Sequence, residues 1–162
     1  MLKVKPEIRV MAVTGVQLKR LHLLGVVFRG GSWLDGLVKT STRSHPVKAL
    51  NRMIKSSGHY GQVRVVLADA AYPWRVKLED WGWLAEKLSR PVILFCEKPC
   101  KGLSPLKAGF GRVWVKAFKL SLQESLRVIE VSTALPPLPE PLRVARMLAA
   151  SLTKALEENR NL

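Results

Sequence analysis

The chain has 162 residues, a formal net charge of +15 and 48% hydrophobic residues. That hydrophobic share is enough for a packed core and excludes wholesale disorder, while the length favours one domain spanning residues 1–162. No apolar run reaches the roughly 20 residues that a membrane-spanning helix needs. Residues 1–7 lack the apolar stretch of a secretory signal, so we expect a cytoplasmic protein with no membrane partner.

The positive charge is unevenly distributed along the chain. Residues 1–60 carry a net charge of +9 and residues 61–120 carry +6, whereas residues 121–162 are neutral. Such asymmetry predicts one electropositive face, the usual footprint for a phosphate backbone. A solubility or thermophile surface is the alternative, but thermophile surfaces are also rich in Glu. The predicted partner is therefore nucleic acid, with DNA favoured over RNA.

The first 42 residues predict an antiparallel unit. Residues 8–14, 21–29 and 32–42 are three short, β-rich apolar runs. Gly30 and Gly31 separate the second run from the third. Two adjacent glycines predict a type I′ hairpin turn, because both central residues of that turn need a positive φ.

The remaining elements alternate between helices and strands. The patterns predict helices over 46–57, 78–89, 121–131 and from 142 onwards, and strands over 63–68, 91–95 and 113–118. Residues 97–112 are rich in Gly, Pro and Lys and predict a basic loop, and residues 134–141 predict a stiff linker with four prolines. The order favours an α/β fold: a ribonuclease H-like mixed sheet that opens with an antiparallel hairpin and is flanked by helices.

The two cysteines, Cys96 and Cys100, are too few for a disulfide framework. A closed zinc site would need two more ligands, and the three histidines all lie far upstream. We therefore expect free thiols, with a local disulfide as the alternative.

Asp69 is the main candidate for chemistry, because it directly follows the apolar strand over 63–68. Reactive groups of open α/β sheets collect beyond the carboxyl ends of the parallel strands. Asp69 is thus a candidate catalytic residue and Mg²⁺ ligand, and a turn-forming role is the alternative. Metal-assisted hydrolysis of a phosphodiester normally needs further carboxylates, yet the neighbouring first strand ends in Val13-Thr14-Gly15.

Four motifs in order resemble those of the archaeal endonuclease dU family, which is related to endonuclease V. They are Lys5-Pro-Glu-Ile-Arg-Val10, Gly25-Val-Val-Phe-Arg-Gly-Gly-Ser-Trp-Leu-Asp-Gly36, Ile54-Lys-Ser-Ser-Gly-His-Tyr-Gly-Gln-Val-Arg64 and Pro139-Glu-Pro-Leu-Arg-Val-Ala145. The resemblance implies the ribonuclease H-like fold of endonuclease V. It also implies cleavage of deaminated, uracil-containing DNA with Mg²⁺ or Mn²⁺.

The chain departs from the family pattern at two acidic segments. Thr14 and Gly15 stand where the family has the two acids of a Gly-Ile-Asp-Asp-Gly type motif. A Val-Asp-Gly-Leu-Asp type segment is replaced by the shorter, basic stretch over 42–47. Asp69 keeps the third acidic position, and Asp35 is a tentative further ligand, as is Glu140. These losses weaken any metal site and also remove negative charge that repels a phosphate backbone.

Several residues are candidates for contact with nucleic acid. Lys48, Arg52 and Lys55 form a basic stripe on the helix over 46–57, which is either a phosphate-tracking surface or an ordinary solvated face. Arg29 at the hairpin is a candidate phosphate contact or a solvated arginine. Arg143 lies in the fourth motif, from which it can reach the crevice of Asp69.

Aromatic side chains add candidates for stacking on an unpaired base. His59 and Tyr60 follow the first helix, where packing of Tyr60 and capping by His59 are the alternatives. Trp74, in the loop after Asp69, is the tryptophan for which stacking is predicted.

Three functions remain open from the sequence. The first is a metal-dependent endonuclease with Asp69 as ligand. The second is a catalytically degenerate protein that binds nucleic acid through its basic face. The third is an interaction subunit of an active paralogue, whose positive charge serves a protein or RNA partner. The expected assembly is a homodimer or a complex with that paralogue.

Overall fold

The computed structural model describes residues 2–160, which form seven strands and four helices. The strands are β1 (Arg9–Gln17), β2 (Leu21–Arg29), β3 (Trp33–Thr42), β4 (Val65–Asp69), β5 (Val92–Cys96), β6 (Ser104–Ala108) and β7 (Gly111–Phe118). The helices are α1 (Pro46–Ser56), α2 (Leu78–Leu88), α3 (Leu122–Ser132) and α4 (Glu140–Arg160). None of these helices is long and apolar enough to cross a membrane.

The strands form one mixed sheet in the order β3-β2-β1-β4-β5-β7-β6. The pairs β3–β2, β2–β1, β5–β7 and β7–β6 are antiparallel, whereas β1–β4 and β4–β5 are parallel. This arrangement confirms the predicted α/β fold with an antiparallel opening. The ends of β1, β4 and β5 meet along one side of the sheet, which is called the carboxyl edge below.

Helices cover both faces of the sheet, because the central strands are apolar on both sides. Met11 and Val13 of β1 pack in one core with α1 and α2, whereas Val10 and Ala12 pack in a second core with α3 and the start of α4. β4 and β5 are buried along their whole length, as near-continuous apolar runs of parallel strands predict. This double burial holds the carboxyl edge firmly in place.

The β2–β3 hairpin is confirmed, but its predicted type I′ turn is wrong. Three residues separate Arg29 from its partner Trp33. Gly30 has a positive φ of 56°, and Gly31 does not. A Cβ atom on Gly30 would lie 2.2 Å from the carbonyl oxygen of Pro6, so this position needs glycine both for its conformation and for its close contact.

The predicted loop over 97–112 is also wrong, because it contains β6 and the first residues of β7. Among the described strands, β6 pairs only with β7 and forms an edge of the sheet, and most of its side chains face solvent. It therefore shows neither alternation nor a continuous apolar run. Pro105 is tolerated there because an edge strand has a backbone position that needs no partner.

One smaller difference concerns α4, and the prediction for the cysteines agrees with the structure. α4 begins at Glu140, inside the segment predicted as a linker. Cys96 and Cys100 are free thiols, as predicted, and burial raises the pKa of Cys96.

Candidate site at the carboxyl edge of the sheet

Asp69 is the last residue of β4 and is 3% exposed. The Thr14 hydroxyl, near the end of β1, donates a hydrogen bond to its Oδ2 atom at 3.0 Å. The amide of Ala71 donates to Oδ1 at 3.1 Å. The parallel pairing of β1 with β4 brings Thr14 beside Asp69. Asp69 therefore lies at the carboxyl edge, as predicted, and accepts hydrogen bonds from two neutral donors, the Thr14 hydroxyl and the Ala71 amide.

Arg146 of α4 binds Asp69 and Glu97 at the same time. Its Nη2 and Nε atoms lie 2.8 and 3.0 Å from the two carboxylate oxygens of Asp69. Its Nη1 and Nη2 atoms lie 2.8 and 2.9 Å from the two oxygens of Glu97. The planar guanidinium thus makes bidentate contacts with both acids. Asp69, Glu97, Arg146 and Thr14 are called the acid–arginine cluster below.

The charges of this cluster stabilise one another. Burial works to raise the pKa of Glu97, but the hydrogen bonds and charge of Arg146 outweigh it and hold that pKa below its usual value. Burial works to lower the pKa of Arg146, but hydrogen bonds to Asp69 and Glu97 outweigh it and raise that pKa. Glu97 and Arg146 are therefore ionised at neutral pH, and Asp69 and Glu97 share the single guanidinium of Arg146.

The residues present do not fit the Mg²⁺ or Mn²⁺ site that the family resemblance implies. Within residues 2–160, no group of three or more His, Cys, Asp or Glu side chains is placed to hold an ion. Mg²⁺ requires near-octahedral oxygen coordination, and the two carboxylates at this edge are both bound by Arg146.

Gly15 stands where the family resemblance places the second acid of β1, and an aromatic side chain fills the space beside it. A Cβ atom on Gly15 would lie 2.7 Å from the ring of Tyr72. The Tyr72 ring therefore occupies the space into which a side chain at position 15 would extend. It packs edge-on against Trp74, with ring centroids 5.0 Å apart, and Trp74 packs in the same way against Trp81 at 5.1 Å.

A cleft of about 490 Å³ lies next to Tyr72 at the same edge. It is bordered by the β1–β2 turn, by the segment between β3 and α1, and by the loop after β4. Four exposed cations line it: Lys19, Arg20, Arg43 and Arg75. None of the four forms an ion pair with any described residue, and no acidic side chain lines the cleft. These residues are called the basic cleft below.

Asp35, the tentative second ligand, does not lie near Asp69. It binds Arg9 at 2.7 Å and Arg29 at 3.0 Å. β3 is the third strand from β4, and Asp35 lies four residues along β3 from the residue that is level with Asp69. The two aspartates are therefore separated by roughly 20 Å. Its prediction as a shared ligand is therefore wrong. Burial works to raise the pKa of Asp35, but the two arginines outweigh it and lower that pKa.

The other predicted contacts are spread over the surface. Lys48, Arg52 and Lys55 are exposed on α1, and Arg52 reaches the rim of the basic cleft, where its Nη2 lies 3.4 Å from the hydroxyl of Ser44. Arg143 is paired with the buried Glu140. Arg29 binds Asp35 and lies over the Trp33 ring, 5.4 Å from its centroid.

The predicted stacking residues have partners within the protein. Tyr60 donates a hydrogen bond to the Leu88 carbonyl at 2.6 Å, and the Arg90 guanidinium lies 4.8 Å from its ring centroid. The His59 ring lies against Gly36, where a Cβ atom would approach Nε2 to 2.2 Å. Trp74 is buried and its indole N–H donates to the Asp69 carbonyl, so the predicted exposure of Trp74 to a base is wrong.

Sequence reasoning missed Glu97 and Arg146. Glu97 directly follows β5, which pairs in parallel with β4, so the rule that selected Asp69 also applies to it. The Gly, Pro and Lys content of residues 97–112 instead predicts a loop at this position. Arg146 adjoins the apolar stripe of α4 beside Leu142 and Ala145, which are fully buried. A cation at the border of such a stripe is common on amphipathic helices, so the sequence does not indicate its acidic partners.

Sequence comparison finds archaeal relatives. No family model matches the chain. It is 25% identical over 181 residues to a UPF0215 protein of Methanosarcina acetivorans, with 92% of each chain covered. It is 26% identical over 184 residues to one of Methanothermobacter thermautotrophicus, covering 93% of this chain and 90% of the relative.

Structure comparison finds one fold. A protein from Archaeoglobus fulgidus has a TM-score of 0.78 at 14% identity, covering 90% of this chain and 98% of the other. The catalytic domain of human endonuclease V has a TM-score of 0.68 at 14% sequence identity, covering 94% of this chain and 87% of that domain. Ciona intestinalis endonuclease V, in complex with inosine-containing DNA, has a TM-score of 0.68 at 13% sequence identity, covering 91% of this chain and 86% of the other. The chain is thus a relative of the archaeal UPF0215 proteins and has the fold of endonuclease V, as its four motifs predict.

Proposed function

We propose that this protein binds nucleic acid through the basic cleft and does not cleave it by metal-dependent hydrolysis. The carrying observation is the cleft itself, where Lys19, Arg20, Arg43 and Arg75 face one cavity without a carboxylate. Like charges held together without counterions create a strong positive potential, and concave walls concentrate it. An oligoanion is the ligand that such a potential attracts.

The lining of the cleft favours an unpaired strand. The Tyr72 ring is fixed by Gly15 on one side and by Trp74 on the other. A fixed aromatic ring beside cations is typical of sites where a base stacks and its phosphates are held by Lys or Arg. Arg75 has a φ of 56°, a conformation that non-glycine residues rarely adopt and that clusters at ligand-binding positions.

The acid–arginine cluster argues against hydrolysis at the same edge. A metal ion in a phosphodiesterase orients the attacking water and stabilises the developing charge. Arg146 is permanently charged and cannot activate a water molecule in that way. Asp69 already accepts hydrogen bonds from Arg146, Thr14 and Ala71, so it is not available as a general base.

The solved relatives support the choice of ligand. Ciona endonuclease V is solved with inosine-containing DNA, and a Marinitoga piezophila Argonaute with a related fold is solved with guide RNA and target DNA. We favour DNA over RNA because the four motifs resemble a family that acts on DNA. We expect the protein to act in the cytoplasm, alone, as a homodimer or beside an active paralogue.

A binding and cleavage assay tests this proposal. Fluorescence anisotropy with labelled single-stranded and duplex oligonucleotides, with and without uracil, should show binding that weakens steeply with salt. The same oligonucleotides incubated with Mg²⁺ or Mn²⁺ should remain intact. Cleavage that Asp69→Asn abolishes would establish the competing function, a metal-dependent endonuclease. Binding that is absent or insensitive to salt would refute the proposal.

A further inference from the structure

Arg146 lies between the ends of two adjacent parallel strands. Asp69 pairs with Phe95 across β4 and β5, and Glu97 follows two residues later. Leu142, one turn earlier on α4, and the adjacent Ala145 are fully buried, which fixes the helix against the sheet. The guanidinium therefore reaches the carboxyl edge from a rigid support, and its four contacts all measure between 2.8 and 3.0 Å.

Two carboxylates in this position need a cation between them. The side chains of Asp69 and Glu97 are only 5% and 18% exposed, so water screens their mutual repulsion poorly. Two carboxylates held this close repel each other strongly unless a positive charge lies between them. In this chain that charge is the guanidinium of Arg146, which also satisfies four carboxylate oxygens.

We propose that Arg146 acts as the built-in cation of this edge and masks a latent divalent-ion site whose protein ligands are Asp69 and Glu97. The wild-type protein then folds and binds nucleic acid without divalent ions. Removal of the guanidinium leaves a pair of carboxylates that binds Mn²⁺. This inference concerns the ion at the site and does not depend on which nucleic acid the basic cleft holds.

Thermal unfolding with and without Mn²⁺ tests this inference. Wild type, Arg146→Ala and Arg143→Ala are compared in EDTA and in millimolar MnCl₂. Arg143→Ala is the matched control, because Arg143 lies on the same helix but binds Glu140. We expect Arg146→Ala to melt roughly 10 °C below wild type in EDTA and to recover part of that loss with Mn²⁺. Wild type and Arg143→Ala should be insensitive to the ion.

Mn²⁺ electron paramagnetic resonance then counts the sites directly. Arg146→Ala should bind one ion that wild type does not bind, and Asp69→Asn in the Arg146→Ala background should remove it. Arg146→Gln provides a second variant of similar size if Arg146→Ala does not fold. Equal Mn²⁺ binding by wild type would overturn the proposal. A destabilised variant that gains nothing from Mn²⁺ would also overturn it, because Arg146 would then be an ordinary structural ion pair.

Discussion

Removing two charges from the basic cleft should weaken binding to a single strand much more than removing two charges elsewhere. The perturbation is the double variant Arg20→Gln/Arg43→Gln, which keeps long polar side chains. Both residues are exposed and have no carboxylate partner among the described residues. Their loss should therefore leave the fold unchanged, and the melting temperature should stay at the wild-type value.

The magnitude follows from the release of counterions. Each phosphate contact to a single strand contributes about 0.7 to the slope of log affinity against log salt. Two lost contacts reduce that slope by about 1.4, which corresponds to roughly 25-fold weaker binding at 0.1 M salt. Both the affinity and the slope are measured by fluorescence anisotropy with a labelled oligothymidylate between 50 and 300 mM NaCl.

The matched control is Lys48→Gln/Lys55→Gln on the exposed face of α1. These two lysines carry the same total charge but do not line the cleft. Screening limits their influence on a ligand in the cleft, so their loss should weaken binding by less than about threefold. Equal losses in the two double variants, or a larger loss in the control, would refute the assignment of the cleft while leaving nucleic-acid binding itself intact.

Three further predictions follow from the same geometry. Tyr72→Leu should weaken binding to a single strand by about 5- to 150-fold, since one stacked base contributes about 1–3 kcal/mol, whereas Tyr72→Phe keeps the ring and should bind like wild type in the same titration. Gly15→Ala should cost about 1–3 kcal/mol of unfolding free energy through the clash of its Cβ with the Tyr72 ring, measured by urea unfolding; Gly58→Ala, where a Cβ meets nothing within 4 Å, is the control and should not show this loss. Because the pKa of Glu97 is lowered in the folded state, the stability from its pairing is present above its unfolded pKa of 4.5 and is lost as the pH falls through the lower folded value. In Arg146→Ala, repulsion between the two facing carboxylates should instead raise the pKa of Glu97, so the contribution of Glu97 to stability should change sign. As the pH falls from 7 to 3.5, the melting temperature of the variant should therefore approach that of wild type.

Much of the fold follows from local patterns. β4 and β5 are recognisable because strands buried on both faces carry nearly continuous apolar runs, which Asp69 ends in β4. α3 is recognisable because Ser121 and Glu124 form a capping box that the structure confirms. β6 has no such pattern, since pairing with a single neighbour determines its conformation. A strand that depends more on tertiary pairing than on its own residues cannot be predicted from local sequence patterns.

In the site too, some residues can be predicted from local sequence patterns and others depend on tertiary structure. Asp69 is predictable because its position depends only on the strand that precedes it. The partnership of Arg146 with Asp69 spans 77 residues of sequence and depends on how α4 crosses the sheet, so no local pattern reports it. The basic cleft likewise combines three separate connections, each with one or two cations. Its charge is visible in the composition, but its concentration in one place is a result of the fold.

A crystal structure of the protein with a single-stranded oligonucleotide in MnCl₂ tests the central claim most directly, because anomalous scattering locates manganese independently of the strand. The account predicts an intact strand in the basic cleft with a base on Tyr72, and the guanidinium of Arg146 still bound to Asp69 and Glu97 with no manganese between them. A manganese peak at Asp69, with Arg146 displaced and the strand cut, would contradict it.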